Sequence, residues 1–158
     1  MSHVVDVDAQ GVRLPLPRER VVDIARAVLR AERIRDARLS IAFVDNRRIA
    51  HLYRRHLAHR GATDVISFAF AEESINAPLA GDIYIAPDVA RRNATMHRVP
   101  IREEVTRLVV HGVLHVIGFD HPEGEERKAS PMWRKQERLV RSLAKVTNRD
   151  VRRTRSTA

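Results

Sequence analysis

The sequence predicts an α+β fold: one small mixed sheet of about four strands with helices packed on it. Two observations carry this. Short stretches alternate apolar and polar residues, as half-buried strands do, and they are interleaved with segments whose apolar residues recur at helical spacing. A third feature is one segment near 101–117 that is apolar nearly all round, so it reads as a helix buried on every face.

The elements follow in chain order. Residues 3–8 read as a short strand. Over 18–33, Val21, Ile24, Ala25, Val28 and Leu29 fall on one helical face. In 38–45, Leu39, Ile41 and Phe43 point one way and Ser40 and Ala42 the other, which is a strand. Asp45 can cap the next helix, whose inner face carries Ile49, Leu52 and Tyr53 and which Gly61 ends. Thr63–Phe70 and Ala80–Ala86 alternate again and are expected to pair antiparallel across a long loop. Pro87 and Asp88 open a helix reaching about residue 96, and Pro100 stands at the start of the buried one, with Glu103 and Glu104 near its positive end. Gly118 ends it. Ser130 and Pro131 begin a last helix, with Met132, Trp133, Gln136, Leu139, Val140 and Leu143 on its packed side. Residues 1–145 form a single domain on this reading. Residues 146–158, with Arg149, Arg152, Arg153 and Arg155, are expected to form a basic, mobile tail.

With 158 residues, the chain has room for one domain. It contains no cysteine, so disulfides and thiolate metal sites are excluded and a metal must sit on His, Asp or Glu. No uncharged apolar run is long enough to cross a membrane, and the first ten residues lack a basic signal-peptide start. The expectation is a soluble cytoplasmic protein with no membrane partner. The net charge of +9 suits a polyanion, although 26 of the 29 basic residues are arginine, a skew that genome composition also produces. Aromatic residues are only 4%, so phosphate contacts are expected to dominate over base stacking.

The chemistry lies in the run His111-Gly112-Val113-Leu114-His115-Val116-Ile117-Gly118-Phe119-Asp120-His121. On a helix, residues i and i+4 are about 40° apart in projection and one turn apart along the axis, so His111 and His115 aim at one point. Gly118 lets the chain turn back, and His121 can supply a third nitrogen. Three imidazoles with an open fourth position is the catalytic pattern for Zn²⁺, one ion; other divalent transition metals fit three histidines too. No side chain is assigned as catalytic beyond a metal-activated water. Asp120 is either a partner of the ligand shell or a turn residue. The spacing is that of metzincin proteases, but Gly112 stands where their glutamate base would be. Ser67 and Asp82 lie on strands and either line a cleft or make local hydrogen bonds.

The H-G-x-L-H-x-x-G-x-D-H run resembles the signature of the YbeY family of bacterial endoribonucleases. Thr63-Asp64-Val65-Ile66-Ser67-Phe68 and Gly81-Asp82-Ile83-Tyr84-Ile85 resemble two of its strands, and the likeness runs in order over about 38–145. It implies a single-strand-specific, metal-dependent endoribonuclease, zinc-dependent on the histidine pattern above, acting in ribosomal RNA processing, notably 3′-end maturation of small-subunit RNA, and in ribosome quality control. The implied partners are single-stranded RNA, ribosomal RNA and the small ribosomal subunit, with no DNA. The chain departs from the family at one point. Where many members carry an arginine before the T-D-V strand, it has Leu57, and Ala62 replaces a proline. Arg54, Arg55 and Arg60 lie nearby and are the candidate phosphate-binding residues. A metalloprotease-like hydrolase and a non-catalytic ribosome-assembly factor with a structural metal remain the alternatives.

Overall fold

A computed structural model describes residues 1–57, 65–70, 74 and 76–156, without the side chains of 56, 57 and 145–156. Within these residues, four strands, β1 (Ser2–Gln10), β2 (Asp36–Val44), β3 (Val65–Ala69) and β4 (Leu79–Ile85), form one mixed sheet in the order β1-β2-β4-β3. The pairs β1–β2 and β2–β4 are parallel, and β3–β4 is antiparallel, as the alternation predicts. Among the described residues, five helices accompany it: α1 (Arg18–Ala31), α2 (Asn46–Leu57), α3 (Pro87–His97), α4 (Ile101–Ile117) and α5 (Pro131–Ser156).

Strand alternation sorts the helices onto two faces. Leu39, Ile41 and Phe43 of β2, with Ile83 and Ile85 of β4, pack against α1, α4 and α5 in the main core. Ala42 and Val44 face the other way. They join Ile49 and Leu52 of α2, Ile66 of β3 and Val89 of α3 in a smaller cluster. α4 is buried as expected, with Val105, Val109, Val110, Val113 and Leu114 fully enclosed. Its contact with the sheet is close because two glycines permit it. A Cβ on Gly112 would lie 2.7 Å from Ile83 Cγ2, and one on Gly81 would lie 2.5 Å from Val116 Cγ1.

Several expectations change. β1 is longer than 3–8 because its whole length pairs in register with β2. Asp45 does cap α2, its Oδ1 accepting the Arg48 N–H at 2.8 Å, but the Gly61 terminus, Thr63 and Asp64 lie outside the described residues. A 3₁₀ turn over Gly124–Ala129 was not foreseen. Its segment, GEERKA, is almost wholly polar and carries no periodic apolar signal. The backbone of α5 is helical through Ser156, beyond the packed residues that mark the helix in the sequence. Propagating a formed helix adds one hydrogen bond per residue without a new nucleus. Trp133, placed by its spacing on the packed side of the last helix, is only half-buried. Among the described residues, no helix is long and apolar enough to cross a membrane.

Candidate metal centre

The last two turns of α4 bring His111 and His115 to its C-terminal end, and the turn that follows brings His121 beside them. Gly118 makes that turn with φ 122°, a conformation that strains any residue with a Cβ. The N–H groups of Gly118 and Phe119 both reach back to the Leu114 carbonyl, at 3.2 and 3.0 Å, and close the helix end. The ring centroids are then 4.5 Å apart for His111–His115, 5.1 Å for His111–His121 and 5.0 Å for His115–His121. One nitrogen from each ring lies within 4.8 Å of the others.

The second nitrogen of every ring is occupied. His111 Nδ1 is 2.7 Å from Gln136 Oε1, His115 Nδ1 is 3.0 Å from the Phe119 carbonyl and His121 Nδ1 is 3.0 Å from the Pro122 carbonyl. All three partners are oxygen acceptors, so each Nδ1 carries the proton. The Gln136 amide is oriented by its Nε2, which donates to Glu137 Oε1 at 3.4 Å. The three rings are thereby held with Nδ1–H committed to an oxygen and Nε2 left as the atom that could meet a metal. A divalent transition metal needs such donors, and carbonyl or amide oxygens on the far nitrogen are the usual device for aiming them. The donor set therefore fits a metal.

The surroundings favour the neutral form as well. His111 is 5% exposed, and burial, helped by the neighbouring His115, pushes it down to about 3. Burial also lowers His115, with the His121 charge adding to it. Rings that resist protonation keep their lone pairs available to a cation.

α5 supplies much of the bracing. Gln136 is 1% exposed and holds His111. Lys135 lies over the Phe119 ring at 4.6 Å and pairs with Glu32 at 2.8 Å, which steadies the residue whose carbonyl holds His115. Arg107 ties α4 to α5, with Nε 2.8 Å from Glu137 Oε1 and a second nitrogen 3.1 Å from Oε2. It also pairs with Glu104 and Glu103 at 3.2 and 3.4 Å.

The other sequence candidates fall in different places. Asp120 is exposed and its Oδ1 accepts the His121 N–H at 2.8 Å, so it shapes the turn. Its charge also favours protonated His115, against the stronger effect of burial. Gly112 faces Ile83 of the sheet, so a glutamate there has no room and could not serve as a base beside the histidines. Asp82 lies on the sheet face opposite α4, in a row with Ser40 and Asp6, and burial raises its carboxyl. Ser67 alternates with Ile66 and so shares the α4 side with Val65. Arg54 and Arg55 are exposed on α2, on the opposite side of the sheet from α4. Among the described residues, no contact links them to the histidines. Arg60 lies outside the described residues, as does the Leu57 side chain. Arg127 and Gln136 are the contributors that sequence reasoning missed. Arg127 is half-buried at the end of the 3₁₀ turn, and its charge opposes protonation of both His111 and His115. The basic pair Arg127-Lys128, six residues past His121, was the available signal for the first of them.

Fold and site together define a small α+β protein with a three-histidine candidate metal centre at the end of a buried helix. The family model for Endoribonuclease YbeY matches residues 8–144. An Endoribonuclease YbeY of Syntrophus aciditrophicus is 29% identical over 142 residues, covering 88% of this chain and 89% of its own. One from Frankia alni is 36% identical, over 78% and 73% of the two chains. One from Thermobifida fusca is also 36% identical, over 73% and 79%. A solution structure of a Thermotoga maritima protein shares the fold, with a TM-score of 0.61, 21% identity and 93% of each chain covered. The chain belongs to the Endoribonuclease YbeY family.

Proposed function

We propose that this protein is a metal-dependent endoribonuclease that cuts single-stranded RNA. We further propose zinc as its ion and ribosomal RNA processing as its setting, notably 3′-end maturation of small-subunit RNA and ribosome quality control in the cytoplasm. The single observation that carries the catalytic reading is the set of three histidines, each with Nδ1–H tied to an oxygen and Nε2 free.

His111, His115 and His121 would hold the ion and leave part of its coordination shell open. When bound, the metal supplies Lewis acidity to a phosphoryl oxygen and lowers the pKa of a coordinated water. The chain's own groups do the rest. Gln136 and the two carbonyls hold the rings still, so no reorganisation is needed at the moment of reaction. The positive charge of Arg127 beside the histidines offers a counter-ion for the RNA backbone. Arg54 and Arg55, on the other side of the sheet, and Arg60 are proposed to contact phosphates farther along the strand, away from the metal centre.

The test is cleavage of end-labelled single-stranded ribosomal RNA by the wild type and by His115→Ala, purified alike with metal content measured. The expected outcome is metal and cleavage in the wild type alone. Equal cleavage by a metal-free His115→Ala protein would refute the reading. Bound metal with no cleavage would leave the assembly-factor alternative standing.

A further inference from the structure

Beside His111 lies a groove of about 460 Å³, within the range of small-ligand sites. Its walls come from α3, α4, α5 and the 3₁₀ turn, and include Asn93, His97, Arg127, Lys128 and Trp133. His111 is the one candidate ligand among its lining residues, so the groove runs off one side of the metal centre.

Two features mark it as a place for a ligand rather than a gap in packing. The Arg127 guanidinium sits over the Trp133 ring, 5.7 Å from its centroid, so a cation and an aromatic surface are held together in one wall. The Nε of Arg127 is buried and has no hydrogen-bond acceptor among the described residues. A buried guanidinium donor without an acceptor is costly, and among the described residues no ion pair meets the Arg127 charge, which leaves it for an anionic ligand of the groove. The acidic groups in the groove do not compete, because Arg107 engages both Glu104 and Glu137.

We propose that this groove is a nucleotide subsite: it takes the residue of the RNA strand next to the scissile phosphate, with a phosphate against Arg127 and the base against Trp133. The assignment rests on the endoribonuclease reading above. The ligand class follows from the pairing itself. A guanidinium recognises a phosphodiester oxygen, and an indole or guanidinium plane stacks a base without regard to its sequence. One such subsite beside the metal would fix where along the strand the scissile bond falls. A single well-placed ring suffices for one base and leaves phosphate contacts dominant along the rest of the strand.

Trp133 is the chain's one tryptophan, so its fluorescence reports the subsite directly. The full-length, metal-loaded protein is titrated with a four-residue 2′-O-methyl oligoribonucleotide and with an abasic oligomer of equal charge. Saturable quenching by the first and not the second is expected. Arg127→Gln should weaken that binding about tenfold. Trp133→Leu should raise KM for single-stranded RNA about tenfold, the size of effect a lost base–aromatic stack produces, with kcat held within a few-fold. Trp133→Phe, which keeps a ring, should restore most of the loss and guards against misfolding of the leucine variant. RNA cut normally by wild type, Arg127→Gln and Trp133→Leu, with no quenching, would overturn the subsite and leave the nuclease reading intact. Equal quenching by the abasic oligomer would overturn the base contact. Base-dependent quenching in a wild-type protein that cuts no RNA would uphold the nucleotide site and sink the nuclease instead.

Discussion

At the scale of single residues, the centre depends on what lies behind each imidazole. Gln136 is the clearest case, because it is buried and its carbonyl accepts the His111 proton at 2.7 Å. Gln136→Leu removes that acceptor and leaves a buried N–H with no partner. Metal affinity is expected to fall about 10- to 100-fold, the usual effect of losing an outer-shell partner, while Gln136→Glu, which restores an acceptor, should recover binding. Competition with a chromophoric chelator measures both. Equal affinity in wild type and Gln136→Leu would mean that His111 is aimed by packing alone. None of this was legible from the sequence, in which Gln136 appears as one polar residue on an apolar helix face.

At the scale of elements, α4 carries two duties at once. One face must lie flat on the sheet, and the end must present two histidines. Gly112 serves the first duty, since its missing Cβ leaves room for Ile83, itself wholly buried. Gly112→Ala is expected to destabilise the protein by about 1–3 kcal/mol through overpacking, lowering the melting temperature by several degrees. Thermal unfolding followed by circular dichroism checks this, and an unchanged Tm would mean that α4 can lift from β4 without cost. The same packing explains why the protease comparison fails. The position that holds a catalytic glutamate in the metzincin spacing points into the core here. The sequence showed that the glutamate was missing, and the helix–sheet contact shows why none could be put back.

At the scale of the whole molecule, metal, folding and pH are linked. In the metal-free protein His111 is held down to about 3 and His115 is also lowered, whereas an unfolded chain has both near 6.5. Between these limits the unfolded state binds more protons than the folded one, so stability rises with pH. Metal-free protein is therefore expected to lose stability as pH falls from about 6.5 towards 3, and to gain nothing from these groups above 6.5. Denaturant unfolding across that window, beside His111→Gln, tests the point. The variant should show a shallower slope, and equal slopes would place the pH sensitivity elsewhere. Loading with zinc at pH 7 should raise the Tm, because a ligand that binds only the folded state stabilises it by mass action.

The order of strands and helices and the three histidines were legible in the sequence because they rest on local rules. Alternation marks a strand, a 3.6-residue period marks a helix, and i, i+4 spacing followed by a glycine turn converges three side chains. Those rules involve neighbours within about ten residues, and one chain contains them whole. Arg127, Gln136 and the Trp133 groove were not legible, because their meaning comes from long-range packing. Gln136 meets His111 across 25 positions, and Lys135 meets Glu32 across 103. The same packing separates Asp82 and the α2 arginines from the centre, since a sheet has two faces and strand parity alone does not say which one a given helix will cover. Local periodicity thus determined which residues could bind a metal, and only the tertiary structure decided which groups aim them and what lies alongside.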